Sequence, residues 1–140
     1  MFWDSSALVP LMLPEDRSDV LTKWLAEDKD MTIWWGTPLE CQSAVYRRHR
    51  EQALSPSSLA AATERLRALV ELADTVAPTD ELRRRAARLV AVHPLRAADA
   101  LQLAAALLWC EEQPHGEMFV SLDGRLRDAA RAEGFDVSAP

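Results

Sequence analysis

Short segments typical of β-strands alternate with longer helical segments along the whole chain. Strands in this arrangement form a mostly parallel sheet, and right-handed crossovers place the helices on both of its faces. The pattern therefore predicts an α/β fold with three layers: helices, sheet, helices. The predicted strands are residues 1–3, 31–35, 74–77, 117–121 and 135–137, and the predicted helices are 6–13, 14 to about 26, 38–50, 55–72, 79–92, 97–110 and 125–133.

The length and composition fit one globular domain that covers residues 1–140. Hydrophobic residues make up 49% of the chain and charged residues 27%, which argues against disorder. Most of the tryptophans occupy apolar periodic positions and are expected in the core. On two of the helices, the apolar positions expected to face inward are Val20, Leu21, Trp24 and Leu25, and Leu59, Leu66, Leu69, Val70 and Leu72.

The cysteines and the N-terminal segment indicate a cytoplasmic protein without a membrane partner. Cys41 and Cys110 are isolated thiols that form no CxxC motif, and such thiols suit a reducing compartment. No basic segment precedes an apolar one at the N-terminus, and Asp4 interrupts the first apolar run, so a signal peptide is not expected. The most apolar helix, 97–110, is too short to span a bilayer.

Acidic residues are placed where strands end and helices begin. Asp4 directly follows the apolar strand Met1-Phe2-Trp3, and Asp123 follows the strand 117–121. Glu40 and Asp99 lie in the first turns of two helices. Since chemistry in open α/β sheets gathers outside the carboxyl ends of the strands, we expect these acids to converge at one edge of the sheet.

Such a group of carboxylates has a definite chemical use. Several carboxylates close together repel one another, which raises their pKa values unless a cation joins them. Hard oxygen ligands favour Mg²⁺ or Mn²⁺. A site of this kind activates water and stabilises the leaving oxygen of a phosphodiester, so we expect metal-assisted phosphodiester hydrolysis without a covalent enzyme intermediate.

Each acid also has a purely structural alternative, which the sequence leaves open. Thr37-Pro38-Leu39-Glu40 matches a capping box, with Thr37 as the cap and Pro38 in the first helical position. Asp123 could cap the last helix, and Asp99 could be an acid favoured by the helix dipole. Asp4 is hardest to explain in this way, because a carboxylate at the end of a buried strand needs partners.

Hydroxyl and basic groups lie close to the acids in sequence. Ser5 and Ser6 are either turn formers or hydrogen-bond donors to the acids, and the absence of a GxSxG motif argues against a serine nucleophile. Arg96 precedes Asp99 by one turn, so it could pair with a site carboxylate or contact a substrate phosphate. The net charge of −6 does not by itself favour a nucleic-acid binder, although metal ions would offset a local acidic cluster.

Taken together, these pieces resemble the PIN domain family, and most of all the VapC-type toxins of bacterial toxin–antitoxin pairs. The resemblance covers essentially the full length and keeps the order and approximate spacing of the acids. It rests on Asp4-Ser5-Ser6-Ala7-Leu8, on Glu40 early in a helix, on the segment LRAADALQLA at 95–104, and on Phe119-Val120-Ser121-Leu122-Asp123.

The resemblance implies a PIN-like fold and a Mg²⁺- or Mn²⁺-dependent endoribonuclease acting on RNA. By the resemblance, Asp4, Glu40, Asp99 and Asp123 correspond to the metal-binding acids. Ser5 takes the place of a common Thr, and Ser121 that of a hydroxyl two residues before the last acid. The resemblance also implies a homodimer, inhibited by a small antitoxin whose tail lies across the active groove and often presents Arg to the acids.

Two other functions remain as alternatives to the ribonuclease. A non-catalytic PIN-like binding module would not need the acids, so their presence at all four positions counts against it. A receiver-like phosphoryl-transfer domain also gathers acids at strand ends. It would need a phosphorylatable mid-chain Asp and a late Lys, whereas the only lysines are Lys23 and Lys29.

Overall fold

The computed structural model describes residues 1–13, 18–28 and 30–138. Strands and helices alternate along the chain as the sequence predicts, and their bounds differ from the predicted ones by a few residues. The predicted helix start at 14–16 lies outside the described residues. The strands are β1 Phe2–Trp3, β2 Thr32–Trp34, β3 Asp74–Val76, β4 Met118–Val120 and β5 Asp136–Ser138. The helices are α1 Ser5–Met12, α2 Ser18–Glu27, α3 Thr37–Arg50, α4 Pro56–Leu72, α5 Asp80–Val92, α6 Ala97–Trp109 and α7 Gly124–Glu133.

The five strands form a parallel sheet in the order β3-β2-β1-β4-β5. Phe2 pairs with Thr32 on one side and with Phe119 on the other, so β1 is central. The chain builds outward from β1 through β2 to β3, then returns to the other side for β4 and β5. This reversal creates a crevice at the carboxyl ends of β1 and β4, the usual place for a binding site in such sheets. The order differs from the 2-1-3-4-5 order of receiver-like domains.

Successive side chains of each strand point to opposite faces of the sheet and enter two separate hydrophobic cores. Phe2 and Phe119 point to one face and stack with their ring centroids 5.6 Å apart, whereas Trp3 and Val120 point to the other. The first face is covered by α5, α6 and α7, and the second by α1, α2, α3 and α4. The period-2 alternation of strand side chains therefore produces the three-layer α/β/α arrangement.

Several apolar side chains that the sequence places in the core lie at the surface. Val20 is 41% exposed and Leu72 is 80% exposed, so the inward assignment of these two residues was wrong. Trp35, at 60% exposed, is outside the core expected for most of the tryptophans. Trp35 follows the last residue of β2, and Leu72 is the last residue of α4, beyond the part of each element that packs. Among the described residues, no helix is both long and apolar enough to cross a membrane.

Candidate active site

Asp4 stands at the end of the central strand and is almost completely buried, with 3% of its surface exposed. Its backbone N–H donates to the carbonyl of Val120 at 3.0 Å, so the β1–β4 ladder continues up to the acid. Its carboxylate is also the N-cap of α1, since Oδ2 accepts the backbone N–H of Ser6 at 3.1 Å. Asp4 thus lies in the crevice between β1 and β4 that the strand order creates.

Two hydroxyl groups surround the same oxygen of Asp4. The hydroxyls of Ser6 and Ser121 both donate to Oδ2, the latter at 3.0 Å. Each hydroxyl also accepts a backbone N–H from the β4–α7 turn: Leu122 donates to Ser6 at 2.8 Å, and Asp123 to Ser121 at 3.1 Å. Ser6 and Ser121 therefore hold Asp4 in place and join the first turn of α1 to the turn that follows β4.

Glu40 lies in the first turn of α3, and the structure rejects the capping box for it. Gly36 is the N-cap residue, without a side-chain hydrogen bond, and the Thr37 hydroxyl points into the protein. The carboxylate of Glu40 instead receives two donors on Oε2: the Ser5 hydroxyl at 2.8 Å and the Gln102 amide at 3.2 Å. Both donors come from other elements, so Glu40 faces the crevice.

Gln102 is a residue that sequence reasoning missed. It is 1% exposed in α6, and its Oε1 accepts the Thr37 hydroxyl at 3.2 Å while its Nε2 donates to Glu40. Thr37 thereby fixes which end of the amide faces the carboxylate. A signal for it was present in the sequence, because Gln102 is a polar residue in an otherwise apolar helix, one turn after Asp99.

Asp99 occupies the third position of α6 and is half-buried. Its Oδ2 accepts the backbone N–H of Arg96 at 3.3 Å, so the first-turn structural role is present. Its negative charge nevertheless reaches both Asp4 and Glu40, since it contributes to the electrostatic environment of each. Asp99 therefore has a structural contact and also belongs to the group of acids.

The crevice makes ionisation of its acids costly. Burial is the main cause that raises the pKa of Asp4, and the hydrogen bonds from Ser6 and Ser121 oppose it. Burial also raises the pKa of Glu40, against the hydrogen bonds from Ser5 and Gln102. Repulsion from the neighbouring carboxylates adds to the rise in both cases. A bound cation would relieve both the desolvation and the repulsion.

Asp123 is the N-cap of α7, since its Oδ1 accepts the backbone N–H of Leu126 at 2.9 Å. It is half-buried and is joined to the Asp4 network through the Ser121 hydroxyl. Within the described residues, no group of three or more His, Cys, Asp or Glu side chains stands close enough together to hold a metal ion as they are placed. Carboxylate positions here are set by hydroxyl and amide donors.

The sequence profile described as PIN domain matches residues 1–132. The chain belongs to the PIN domain family. Among solved structures, similar folds include a toxin–antitoxin complex from Klebsiella pneumoniae, with 16% identity, a TM-score of 0.62 and coverage of 87% of this chain and 85% of that one. Others are FitAcB from Neisseria gonorrhoeae, with 15% identity, a TM-score of 0.67 and coverage of 99% and 96%, and PAE2754 from Pyrobaculum aerophilum, with 19% identity, a TM-score of 0.69 and coverage of 97% and 88%. No curated protein matches the sequence.

The hydrogen-bond donors around Asp4 and Glu40 in this PIN domain leave one oxygen of each carboxylate less occupied. A hydroxyl has one hydrogen to donate, and that of Ser5 goes to Glu40 at 2.8 Å, while Asp4 Oδ1 lies 3.3 Å from the same oxygen. Within the part of the chain that the structure describes, Asp4 Oδ1 has no shorter hydrogen bond, and both donors to Glu40 reach Oε2 rather than Oε1. These two oxygens are therefore the ones available to a cation or a water molecule.

The basic and histidine side chains of the PIN domain lie mostly away from the acids. His49 contacts the Leu54 carbonyl at 2.8 Å, and His93 contacts Glu133 at 2.7 Å, so neither points at the crevice. The Arg96 side chain, which the sequence places near Asp99, is exposed and forms no ion pair with any described residue; its backbone makes the contact instead.

A cleft of about 250 Å³ opens beside the acids of the PIN domain, between α1 and α3. Ser5, Ser6 and Glu40 line one end, and Arg47 and Arg48 the other. The cleft thus has an acidic, hydroxyl-bearing end and a basic end. Its remaining lining is apolar and comes from Val9, Pro10, Ala44 and Leu122.

Proposed function

We propose that this PIN domain is a Mg²⁺- or Mn²⁺-dependent endoribonuclease that hydrolyses RNA phosphodiester bonds. The observation that carries the proposal is that the Ser5 hydroxyl lies 2.8 Å from Oε2 of Glu40 and 3.3 Å from Oδ1 of Asp4, so that two acids from distant parts of the chain meet at the carboxyl edge of the sheet. Burial raises the pKa of both, and repulsion from Asp99 adds to the rise. Ionised carboxylates forced together in a buried crevice are costly to the fold, and a divalent cation is the ligand that offsets this cost. The donor set consists of oxygens, which fits a hard cation.

The roles follow from the placement of each side chain. Asp4, Glu40, Asp99 and Asp123 would hold the ion or ions, and Ser5, Ser6 and Ser121 would fix the orientation of the carboxylates through their hydroxyls. When bound, the cation supplies Lewis-acid stabilisation of phosphoryl charge and activation of water. The protein contributes carboxylates whose orientation is restrained by hydroxyl and amide donors, which limits their reorganisation when a cation binds.

We further propose that the chain is the toxin of a toxin–antitoxin pair, that it forms a homodimer, and that a small antitoxin inhibits it. The fold likeness to a structure described as a toxin–antitoxin complex supports this proposal. The test is co-expression with the product of a neighbouring small reading frame, followed by size-exclusion chromatography with light scattering. It shows whether the chain binds a second copy of itself and whether it binds the small protein. A monomer with no inhibitor encoded nearby would contradict the toxin proposal and leave the nuclease proposal standing.

The decisive experiment measures cleavage of mixed single-stranded RNA with Mg²⁺ or Mn²⁺. We expect cleavage by the wild type, and loss of cleavage in excess chelator and in Asp4→Asn and Asp99→Asn. Asp128→Asn, on the exposed side of α7, is the matched control and should keep full activity. Undiminished activity in both site variants would refute the site assignment, and undiminished activity in chelator would refute the metal dependence. A folded wild type that binds RNA without cutting it would favour a non-catalytic binding module.

A further inference from the structure

The cleft between α1 and α3 has a charge pattern that the acids alone do not explain. Glu40, Ala44 and Arg47 follow one another on α3 at spacings of four and three residues, so they share one face of the helix. All three line the cleft. This face therefore begins with a carboxylate, continues with a small residue and ends with a guanidinium.

The dimensions of the cleft suit an RNA strand that lies along α3. Arg47 lies seven positions after Glu40, which corresponds to about 10.5 Å along the axis of an α-helix. The methyl side chain of Ala44 lies between them and leaves the cleft open. Val9 and Pro10 of α1 and Leu122 after β4 supply apolar surface, which suits contact with sugars or bases rather than with charged groups.

Arg47 has the chemistry of a phosphate ligand. It is exposed, and its guanidinium forms no ion pair with any described residue, so its charge is available. Guanidinium groups bind phosphate through two parallel hydrogen bonds. A basic end on an α-helix is often explained by the helix dipole alone. Arg50, in the same last turn, would interact with the helix dipole equally well, but it does not line the cleft.

From this placement we infer that the α1–α3 cleft holds the RNA strand on one side of the cleaved bond, with Arg47 binding a phosphate that is not itself cleaved. The inference rests on the proposed ribonuclease function and extends it from the acids to the path of the substrate. The strand runs parallel to α3, from the carboxylates at Glu40 toward the guanidinium at Arg47. Arg47 is then a binding residue and takes no part in the reaction at the acids.

The experiment measures binding apart from cleavage. Asp99→Asn serves as the background, because this half-buried acid makes fewer contacts than Asp4 and its variant is expected not to cut RNA. Affinity for a fluorescent mixed-sequence single-stranded RNA is measured by anisotropy at salt concentrations from roughly 50 to 200 mM. Arg47→Ala is compared with Arg50→Ala in this background, and thermal melts check that both variants fold.

We expect Arg47→Ala to weaken binding several-fold and to reduce the slope of log affinity against log salt by about 0.7, the change for one phosphate contact on a single strand. Arg50→Ala should change neither quantity, and Arg47→Lys should keep most of the slope because it retains the charge. In the cleaving protein, Arg47→Ala should raise KM and leave kcat nearly unchanged.

Equal affinities and slopes for Arg47→Ala and Arg50→Ala in the Asp99→Asn background, with a wild type that binds and cuts RNA, would overturn the inference and leave the proposed function intact. If the wild type neither binds nor cuts RNA, the proposed function fails and the inference falls with it. A fall in kcat with an unchanged KM would also overturn the inference, since it would place Arg47 in the reaction itself.

Discussion

The hydroxyl of Ser5 lies 2.8 Å from Oε2 of Glu40 and joins the first turn of α1 to the first turn of α3. These residues are 35 positions apart in sequence, and the contact brings Glu40, the second of the four proposed site acids, beside Asp4. Cys41, the next residue on α3, is fully buried beneath this contact, with its Sγ 3.8 Å from the Ser5 carbonyl. The α1–α3 packing therefore sets the position of Glu40 relative to Asp4.

Removing this hydroxyl tests whether the contact matters for the proposed reaction. We expect Ser5→Ala to lower the cleavage rate about tenfold, which corresponds to about 1.4 kcal/mol, the scale of one hydrogen bond to a charged group. The measurement is the initial rate of RNA cleavage at saturating metal. Ser43→Ala, on an exposed part of α3, is the matched control and should keep the wild-type rate. A wild-type rate in Ser5→Ala would show that Glu40 is positioned without it.

Gln102 offers a second test of how Glu40 is held. In Gln102→Leu the carboxylate loses its amide donor and the Thr37 hydroxyl loses its acceptor, so we expect cleavage to fall about tenfold. Thr37→Val leaves the buried Oε1 of Gln102 without a donor and should lower the free energy of unfolding by about 1–3 kcal/mol. Urea denaturation and cleavage rates measure the two effects. If the effects of Thr37→Val and Gln102→Leu add up in the double variant, the two side chains do not belong to one hydrogen-bonded network with Glu40. Members of one network do not contribute independently.

Asp123 has a capping role and a proposed site role, which a comparison with Thr79 separates. Both side chains cap a helix, Asp123 accepting from Leu126 at 2.9 Å and Thr79 from Leu82 at 3.1 Å. We expect Asp123→Ala and Thr79→Ala each to lower the free energy of unfolding by about 1 kcal/mol. Cleavage should be lost only in Asp123→Ala. Full cleavage by Asp123→Ala would limit Asp123 to capping α7.

The raised pKa of Asp4 predicts a characteristic dependence of stability on pH. Because its pKa in the folded state lies above the ordinary value of 3.8, the folded state binds more protons than the unfolded state between these two values. The stability due to Asp4 is therefore complete below 3.8 and is lost as the pH rises through the folded-state pKa. Glu40, whose pKa is raised above 4.5, adds to the same trend.

The measurement compares free energies of unfolding of wild type and Asp4→Asn in chelator, from pH 4 upward. We expect the variant to gain stability relative to the wild type as the pH rises, whatever the constant offset from its altered hydrogen bonds. Asp128→Asn, the exposed control, should run parallel to the wild type. A gap between wild type and Asp4→Asn that does not change with pH would show that burial does not perturb Asp4. Added Mn²⁺ should stabilise the wild type more than Asp4→Asn.

The buried thiol beneath the acids gives a simple test of the packing. Burial, with repulsion from Asp4 and Glu40, raises the pKa of Cys41 to about 12, so the thiolate is scarce at neutral pH. Cys110 is partly exposed. We expect an alkylating reagent to label Cys110 first and Cys41 only after denaturant is added, as peptide mass spectrometry would detect. Rapid labelling of Cys41 in the native protein would contradict the α1–α3 packing.

The sequence by itself determined the element order, the parallel character of the sheet and the place of each acid on its own element. These features depend on local patterns: strand and helix periods, helix caps and the acids that follow strands. One prediction from a local pattern was wrong. The capping box at Thr37–Glu40 matches in sequence, yet the N-cap residue is Gly36, and the Thr37 hydroxyl donates to the buried amide oxygen of Gln102 on a distant helix.

Only the tertiary structure decided which residues meet. The order β3-β2-β1-β4-β5 places Asp4 next to Ser121, more than a hundred residues away. The first turn of α3 and the first half of α6 meet at the same edge of the sheet, which brings Gln102 to Glu40. The exposure of Trp35 and Leu72 was decided in the same way, by where neighbouring elements end. Periodicity states which face of an element is apolar, but a contact between distant elements depends on the packing of the whole core, which no local segment encodes. The roles of Asp4, Glu40, Asp99 and Asp123 as metal ligands stay a prediction for the experiments above.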